Sequence, residues 1–254
     1  MKTVFLAWQN PGPDRAWYPI GRLDRLDDVP DPPHFCFRYL KGAQQAQEKA
    51  GMEPLENFPT FSRVYRAANP FALFKNRIMN AKRPDFADYL KAMGLDPQNP
   101  DPMEILAISN GKRETDNFEV FPKIEPDAQH HFCCRFFLHG WRHVHQAAQE
   151  RIPKLQNGEE LQVAIERGNP ATDLAIQLQT EDYLMLGWTP RYLVDDLVPV
   201  ITRKDESLKA RIVQVNRDAP AFSRVLVELA GPWPQDYKPM SQGDFELLVK
   251  HKKC

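Results

Sequence analysis

Side chains with the chemistry of nucleic-acid binding occur in three segments of the second half of the chain. An indole ring can stack on a base, a guanidinium group can pair with a phosphate, and an amide can hydrogen-bond to a sugar hydroxyl or a base edge. We therefore predict a binding site rather than a catalytic centre. The candidate residues are Trp141, Arg142, His143, Asn169, Trp188 and Arg191.

These residues also have a purely structural interpretation. Trp141 and Trp188 could close a hydrophobic core, and Arg142 and Arg191 could belong to a solvated rim. For any one residue alone, this interpretation is the stronger of the two. The binding interpretation depends on the residues occurring together.

The stretch from Ile165 to Val200 must position most of the candidates. Gly168-Asn169-Pro170 is a loop signal, and the apolar residues at 174, 176 and 178 alternate as in a half-buried strand. A second short strand is predicted over residues 183–186. The following segment, residues 188–191, contains a proline that suits the first turn of a helix. The two loops are thus expected to meet at one end of a small antiparallel sheet.

Period-two alternation predicts four further strands in the second half. They cover residues 132–139, 161–166, 209–216 and 224–229. Short strands with one intervening helix suggest a small, partly closed barrel. The apolar residues Phe245, Leu248 and Val249 predict one more amphipathic helix in the C-terminal tail.

The first half is predicted to contain short strands followed by helices. Strands are expected at residues 3–8, 18–23, 34–39 and 118–122, and helices at 42–51, 70–79, 84–94 and 103–108. In the helix that begins at Pro70, Lys75 and Arg77 are expected to face solvent. Because the composition changes at residues 124–130, we predict an N-terminal α+β domain at 1–127 and a C-terminal β-barrel domain at 128–254. The fold class is α+β.

Charge, hydropathy and cysteine usage exclude several classes of protein. The net charge of the 254 residues is only −1, so any contact with a nucleic acid must use a local basic patch. No apolar run approaches the roughly 18 residues that span a bilayer, and the N-terminal segment does not resemble a secretory signal. We expect a soluble, cytoplasmic protein. Its four cysteines form neither a disulfide framework nor a CxxC pair and are expected to be reduced thiols.

The sequence lacks the motifs of the common enzyme classes. It has no GxSxG elbow, no GxxxxGK(S/T) loop, no kinase HRD or DFG motif and no HExxH. Histidines and cysteines crowd into residues 130–145, but no second ligand pair with the spacing of a zinc site accompanies them. We therefore predict a protein that is not an enzyme and uses no metal or cofactor.

Three segments of the second half, FFLHGWRH, LQNGEELQVAIERGNPATDLAI and LGWTPRYL, follow one another in this order. In sequence and spacing, residues 132–230 resemble the HIRAN domain of helicase-like transcription factor, its yeast fork-remodelling relatives and stand-alone bacterial proteins. The resemblance implies an OB-like β-barrel that binds single-stranded DNA and, in the eukaryotic members, captures the free 3′ hydroxyl end. It suggests a role in bacterial genome maintenance, such as DNA repair, or in phage defence, with a helicase as one candidate partner.

By position, the resemblance assigns DNA-binding roles to several of the candidates. Arg142 and His143 match the family's basic-aromatic pair, Asn169 matches its loop asparagine, and Arg191 matches its basic residue after the LG turn.

The chain departs from the eukaryotic pattern at two places. Those members have Tyr-Asp directly after Asn-Pro and use this pair to hold the terminal nucleotide, whereas this chain has Ala171-Thr172 there. Asp173 follows one position later and is the carboxylate that we predict to bind DNA. Trp188 stands where those members have histidine. Either stacking has moved to Trp188, or 3′-end capture is lost while backbone binding persists.

The segments IGRL, FRYLKGA, PLENFP and LFKNRIM occur in this order within residues 3–80. They resemble the N-terminal subdomain of HipA-type toxin kinases, although no kinase core follows. In that family the subdomain packs on the kinase and, when it is encoded separately, can restrain it. The resemblance implies an alternative function, that of an antitoxin-like regulatory subunit that binds a partner kinase through residues 1–127.

Overall fold

The structure is a computed structural model that describes residues 2–26, 31–32, 34–203 and 207–249. The chain divides into two compact units. The first contains the chain up to Phe86, Gln98–Lys123 and the segment from Met240, and the second contains Ala87–Pro97 and Ile124–Pro239. The main division falls between residues 123 and 124, close to the boundary expected after residue 127. Each unit also takes one segment from the other half of the sequence.

Five antiparallel strands form the sheet of the first unit, in the order β4-β3-β2-β1-β5. The strands are β1 (Lys2–Gln9), β2 (Trp17–Arg25), β3 (Phe35–Tyr39), β4 (Tyr65–Ala67) and β5 (Phe118–Pro122). The helices of the first half are α1 (Lys41–Ala50), α2 (Ala72–Lys75), α3 (Phe86–Ala92) and α4 (Pro102–Ser109). All four strands predicted from alternation in this half are confirmed. The helix predicted over residues 70–79 is reduced to the single turn of α2.

An aromatic core covers one face of this sheet. The Phe37 ring stacks on Phe58, with ring centroids 3.9 Å apart, and lies 5.9 Å from the Phe74 ring. The buried Tyr39 hydroxyl donates to the Phe58 carbonyl oxygen over 2.8 Å, so its polar end is satisfied. Because residues 35, 37 and 39 point to the same side of a strand, the alternation that predicted β3 also predicted its buried face.

Arg77 is buried, so the expectation that it faces solvent is wrong. Its guanidinium donates to the Gly111 carbonyl oxygen over 2.8 Å and to the Asp116 carboxylate over 2.6 Å, and it lies 5.5 Å from the centre of the Phe118 ring. The chain forms turns after α2 instead of continuing as a helix, so directions inferred from helical spacing do not apply there. Arg77 thereby fixes the loop between α4 and β5. Lys75 is exposed, as expected.

The C-terminal tail does not form the amphipathic helix predicted for the second domain. Gly243–Phe245 is a short 3₁₀ turn, and Leu247 then forms a β-bridge with Leu40. The Leu248 N–H donates to the Tyr39 carbonyl oxygen over 3.1 Å. The spacing of apolar residues suited a helix, but the end of β3 satisfies the backbone of the tail instead. The tail is therefore part of the first unit.

Six antiparallel strands form the sheet of the second unit, in the order β6-β11-β10-β7-β8-β9. They are β6 (His131–Phe137), β7 (Glu160–Asn169), β8 (Asp173–Gln179), β9 (Met185–Trp188), β10 (Lys209–Val215) and β11 (Val225–Pro232). Helices α5 (Gln146–Arg151) and α6 (Val194–Ile201) follow β6 and β9, respectively. Each of these strands overlaps a predicted one.

The outer strands of this sheet, β6 and β9, meet just beyond the end of β6. His139 N–H donates to the Trp188 carbonyl oxygen over 2.9 Å, and Trp188 N–H donates to the His139 carbonyl oxygen over 3.0 Å. Between β10 and β7, only two residue pairs are in register. Within the described residues the sheet bends until its outer strands touch, but it is not a closed barrel.

With two antiparallel sheets and six α-helices among its described residues, the protein belongs to the α+β class, as predicted. None of the helices described is long and apolar enough to cross a lipid bilayer.

Three of the four cysteines lie among the described residues. Cys133 and Cys134 carry free thiols, and burial raises the pKa of the Cys134 thiol above its ordinary value. Cys36 is buried in β3. Cys254 lies outside the described residues.

Candidate nucleic-acid interface

A glycine corner ends β6 and exposes two of the candidate residues. Gly140 has a φ of 69°, in the left-handed region that glycine tolerates. The chain then makes a 3₁₀ turn at Trp141–His143, with the side chains of Arg142 and His143 exposed. The corner therefore presents a guanidinium and an imidazole to solvent at the edge of the sheet.

Trp188 packs directly against this corner. A Cβ atom at Gly140 would lie 2.4 Å from Cε3 of the Trp188 ring, which leaves room only for glycine. The two backbone hydrogen bonds between His139 and Trp188 hold the segments together. The half-buried Trp188 ring and the Arg142–His143 turn therefore belong to one surface.

Glu166 is a functional candidate that the sequence analysis missed. Its Oε2 atom accepts hydrogen bonds from the Trp188 indole Nε1 over 2.5 Å and from the Asn169 amide over 3.1 Å. Although partial burial acts to raise the pKa of this carboxyl group, hydrogen bonds from Trp188, Gln177 and Asn169 hold it below the ordinary value. The surface thus contains an ionised carboxylate, which accepts hydrogen bonds from hydroxyl or amino groups and repels phosphate.

The register of the strands explains how Glu166 reaches Trp188. Glu166 pairs with Ala175, and Gln177, two residues further along β8, pairs with Trp188. Residues two apart on a strand share a face, so the side chains at 166, 177 and 188 lie on the same side of the sheet. The contact between Glu166 and Trp188 can therefore be predicted only when the register of β7, β8 and β9 is known.

Asn169 and Asp173 form the tip of the hairpin between β7 and β8. The Asn169 side-chain oxygen accepts hydrogen bonds from the backbone N–H groups of Ala171 and Thr172, over 3.0 and 3.2 Å. Asp173 pairs with Asn169 in register, is exposed and has a φ of 63°. Both polar groups of the Asn169 amide therefore have partners within the protein, since its nitrogen binds Glu166.

Arg191 is exposed at the start of a 3₁₀ turn, Arg191–Leu193, directly after Pro190. The buried side chains of Tyr192 and Leu193 anchor this turn. Within the described part of the chain, neither Arg191 nor Arg142 forms an ion pair, so both charges are available to a ligand. No hydrogen bond joins Arg191 to the other candidates, and only its position three residues after Trp188 links it to them.

Trp141 connects the corner to the loop between β10 and β11. Its indole Nε1 donates to the Ala221 carbonyl oxygen over 2.7 Å, and the Arg224 guanidinium lies 5.3 Å from the centre of its ring. Trp141 is half-buried and does not close the core; instead it holds the loop between β10 and β11.

The histidines and cysteines of residues 130–145 spread over different parts of the second unit. His130 has a φ of 58° in the turn before β6, Cys134 is buried and the imidazole of His145 caps the start of α5. Among the residues that the structure describes, no three histidine, cysteine or acidic side chains converge to hold a metal ion.

No protein-family model matches this chain, and no curated protein matches it. A crystal structure of a protein from Lactobacillus plantarum, a structural-genomics target, is similar at 16% identity and a TM-score of 0.31. The match covers 39% of this chain and 97% of that protein. A likeness at this score carries no argument about fold or function.

Proposed function

We propose that this chain is a non-catalytic protein whose second unit binds single-stranded DNA or DNA 3′ ends. The observation that carries the proposal is the junction of the Arg142–His143 turn with Trp188 through the His139–Trp188 bridge. The junction places the exposed Arg142 guanidinium and His143 imidazole beside an indole ring. Phosphate pairing and base stacking require this combination, and together they bind single strands without regard to sequence.

The resemblance to the HIRAN domain supports the same proposal. The segments FFLHGWRH and LGWTPRYL, far apart in the sequence, supply the two sides of the bridge at His139 and Trp188. We further propose that β6 and β9 are the two sides of an OB-like barrel that this bridge brings together. A stand-alone bacterial protein of this kind would act in genome maintenance, such as DNA repair, or in phage defence.

The charges of this surface determine where the phosphates, sugars and bases of a bound DNA strand lie. The Glu166 carboxylate repels a phosphate from the immediate neighbourhood of the Trp188 indole nitrogen. Phosphates therefore lie towards Arg142 and Arg191, whereas a sugar hydroxyl or a base amino group can donate to Glu166. This arrangement favours a strand that ends in a hydroxyl near Trp188.

Oligonucleotide binding by charge variants tests the proposal. Arg142→Ala and Arg191→Ala should each weaken the binding of a single-stranded oligonucleotide by about threefold to tenfold, because each removes a phosphate contact. Arg203→Ala is the matched control, because it removes an exposed arginine of the same unit that pairs with Asp236 and should leave the affinity unchanged. If the Arg142 and Arg191 variants bind as tightly as this control, the site is wrong.

A further inference from the structure

Phe222 is one of two large hydrophobic side chains that the described chain leaves strongly exposed. It is 67% exposed in the loop between β10 and β11, and Tyr183 is 75% exposed in the turn between β8 and β9. A single exposed aromatic residue is common in proteins and means little by itself. What distinguishes Phe222 is how its loop is held and which residues adjoin it.

The loop that carries Phe222 is an ordered turn. Trp141 Nε1 donates to the Ala221 carbonyl oxygen, and Ser223 N–H donates to the Pro220 carbonyl oxygen over 3.0 Å. Across the base of the loop, the Asn216 side chain donates to the Ser223 carbonyl oxygen over 2.8 Å. Hydrogen bonds on both sides therefore fix the backbone that carries Phe222, so the loop would lose little conformational entropy on binding a ligand.

The same contacts place Phe222 next to the proposed DNA-binding surface. Leu138 N–H donates to the Val225 carbonyl oxygen, so the end of β6 runs beside the start of β11. On one side of the β6 end, Trp188 packs on Gly140; on the other side, Trp141 binds the backbone of the residue before Phe222. The end of β6, which leads into the Arg142–His143 turn, is thus flanked by the half-buried Trp188 on one side and by the loop of the exposed Phe222 on the other.

We propose that Phe222 is a second base-stacking position, so that a single DNA strand crosses the Arg142–His143 turn with one base on Trp188 and another on Phe222. This inference rests on the proposed function and adds to it a residue that binds through the base and not through the phosphate. Successive stacked bases on either side of a cationic turn are the arrangement by which single strands are held without sequence readout.

Substitution of Phe222 in the full chain tests the inference with oligodeoxythymidylate of about 12 nucleotides as the probe, a length within the usual range of binding sites. Phe222→Ala should weaken binding about tenfold, and Phe222→Trp should retain it, because stacking on a base requires a ring. Tyr183→Ala is the matched control, since Tyr183 is also strongly exposed but belongs to the turn between β8 and β9. It should leave the affinity unchanged.

A second probe, the same strand without its bases, separates stacking from other effects of the substitution. Phe222→Ala should bind this abasic strand as tightly as the unsubstituted protein does. An equal loss on both probes would overturn the inference, as would wild-type affinity of Phe222→Ala for oligodeoxythymidylate. If Arg142→Ala weakens binding in the same assay, the proposed function stands even when the Phe222 inference fails. If the unsubstituted protein binds neither probe, both are wrong.

Discussion

Glu166 is the single residue that most restricts what the proposed surface can bind. Its carboxylate accepts hydrogen bonds from Trp188 and Asn169, which act against partial burial and hold its pKa below the ordinary value, so the group is ionised at neutral pH. An ionised carboxylate beside a stacking ring suits the hydroxyl end of a strand and disfavours a phosphate end. A protein that bound only the phosphate backbone would gain nothing from this group.

We expect Glu166→Gln to change the preference for the chemistry of the strand end. The unsubstituted protein should bind an oligonucleotide with a 3′ hydroxyl more tightly than one with a 3′ phosphate, and the variant should lose most of this difference because its side chain is uncharged. Fluorescence anisotropy with the two oligonucleotides measures the ratio of affinities. Glu181→Gln, which removes an exposed carboxylate from the turn between β8 and β9, should keep the ratio. An unchanged ratio in Glu166→Gln would show that Glu166 does not face the strand end.

Arg77→Ala should lower the free energy of unfolding by about 3 kcal/mol, because it leaves the Gly111 carbonyl group and the Asp116 carboxylate without their buried partner. Urea denaturation measures this loss. Arg83→Ala provides the control, since the Arg83–Asp85 pair is exposed and contributes little. Equal stability of the two variants would mean that Arg77 does not anchor the loop before β5.

At the level of the elements, the corner at the end of β6 depends on one glycine. Alanine at Gly140 would place its Cβ against the Trp188 ring and would also adopt an unfavourable φ. We expect Gly140→Ala to displace Trp188, to reduce stability by about 2–4 kcal/mol and to weaken DNA binding.

Gly158→Ala separates the effect of the contact with Trp188 from the effect of the unfavourable φ. Gly158 also has a positive φ, of 87°, but a Cβ there would meet nothing within 4 Å. Its substitution should cost only the backbone strain, about 1–2 kcal/mol, and should leave DNA binding intact. Thermal denaturation and oligonucleotide binding of both variants give the comparison. The proposed packing of Trp188 on the corner would be contradicted if the two variants behaved alike.

The elements themselves were largely predictable from the sequence, whereas their ends and some side-chain directions were not. The alternation of apolar residues predicted β3 and β8 and also predicted which face of each strand is buried, because burial on one side of a strand repeats every second residue. The tail at Gly243–Phe245 and the side chain of Arg77 were predicted wrongly, because their environment is set by distant strands and loops. Glu166 was missed for the same reason, since its contact with Trp188 depends on the register of three strands.

For the whole molecule, the sequence predicted two domains divided after residue 127 but gave no sign that each unit takes a segment from the other half of the chain. The helix α3 belongs to the second unit, where the Ala92 carbonyl oxygen accepts a hydrogen bond from the Asn216 side chain and Gly94 lies close to Leu226. An amphipathic pattern shows that a helix needs a partner but does not identify that partner. The regulation of a HipA-type kinase through residues 1–127 stays a prediction, which co-purification with such a kinase would test.

The salt dependence of binding tests most directly whether the second unit binds single-stranded DNA through a small number of phosphate contacts, as we propose. For a single strand, the logarithm of the binding constant falls with the logarithm of salt concentration by about 0.7 per phosphate contact. We predict a slope that corresponds to two or three contacts, about 1.4–2.1, and a reduction of about 0.7 in Arg142→Ala and again in Arg191→Ala. Absence of binding at low salt, or a slope that neither substitution changes, would contradict the claim.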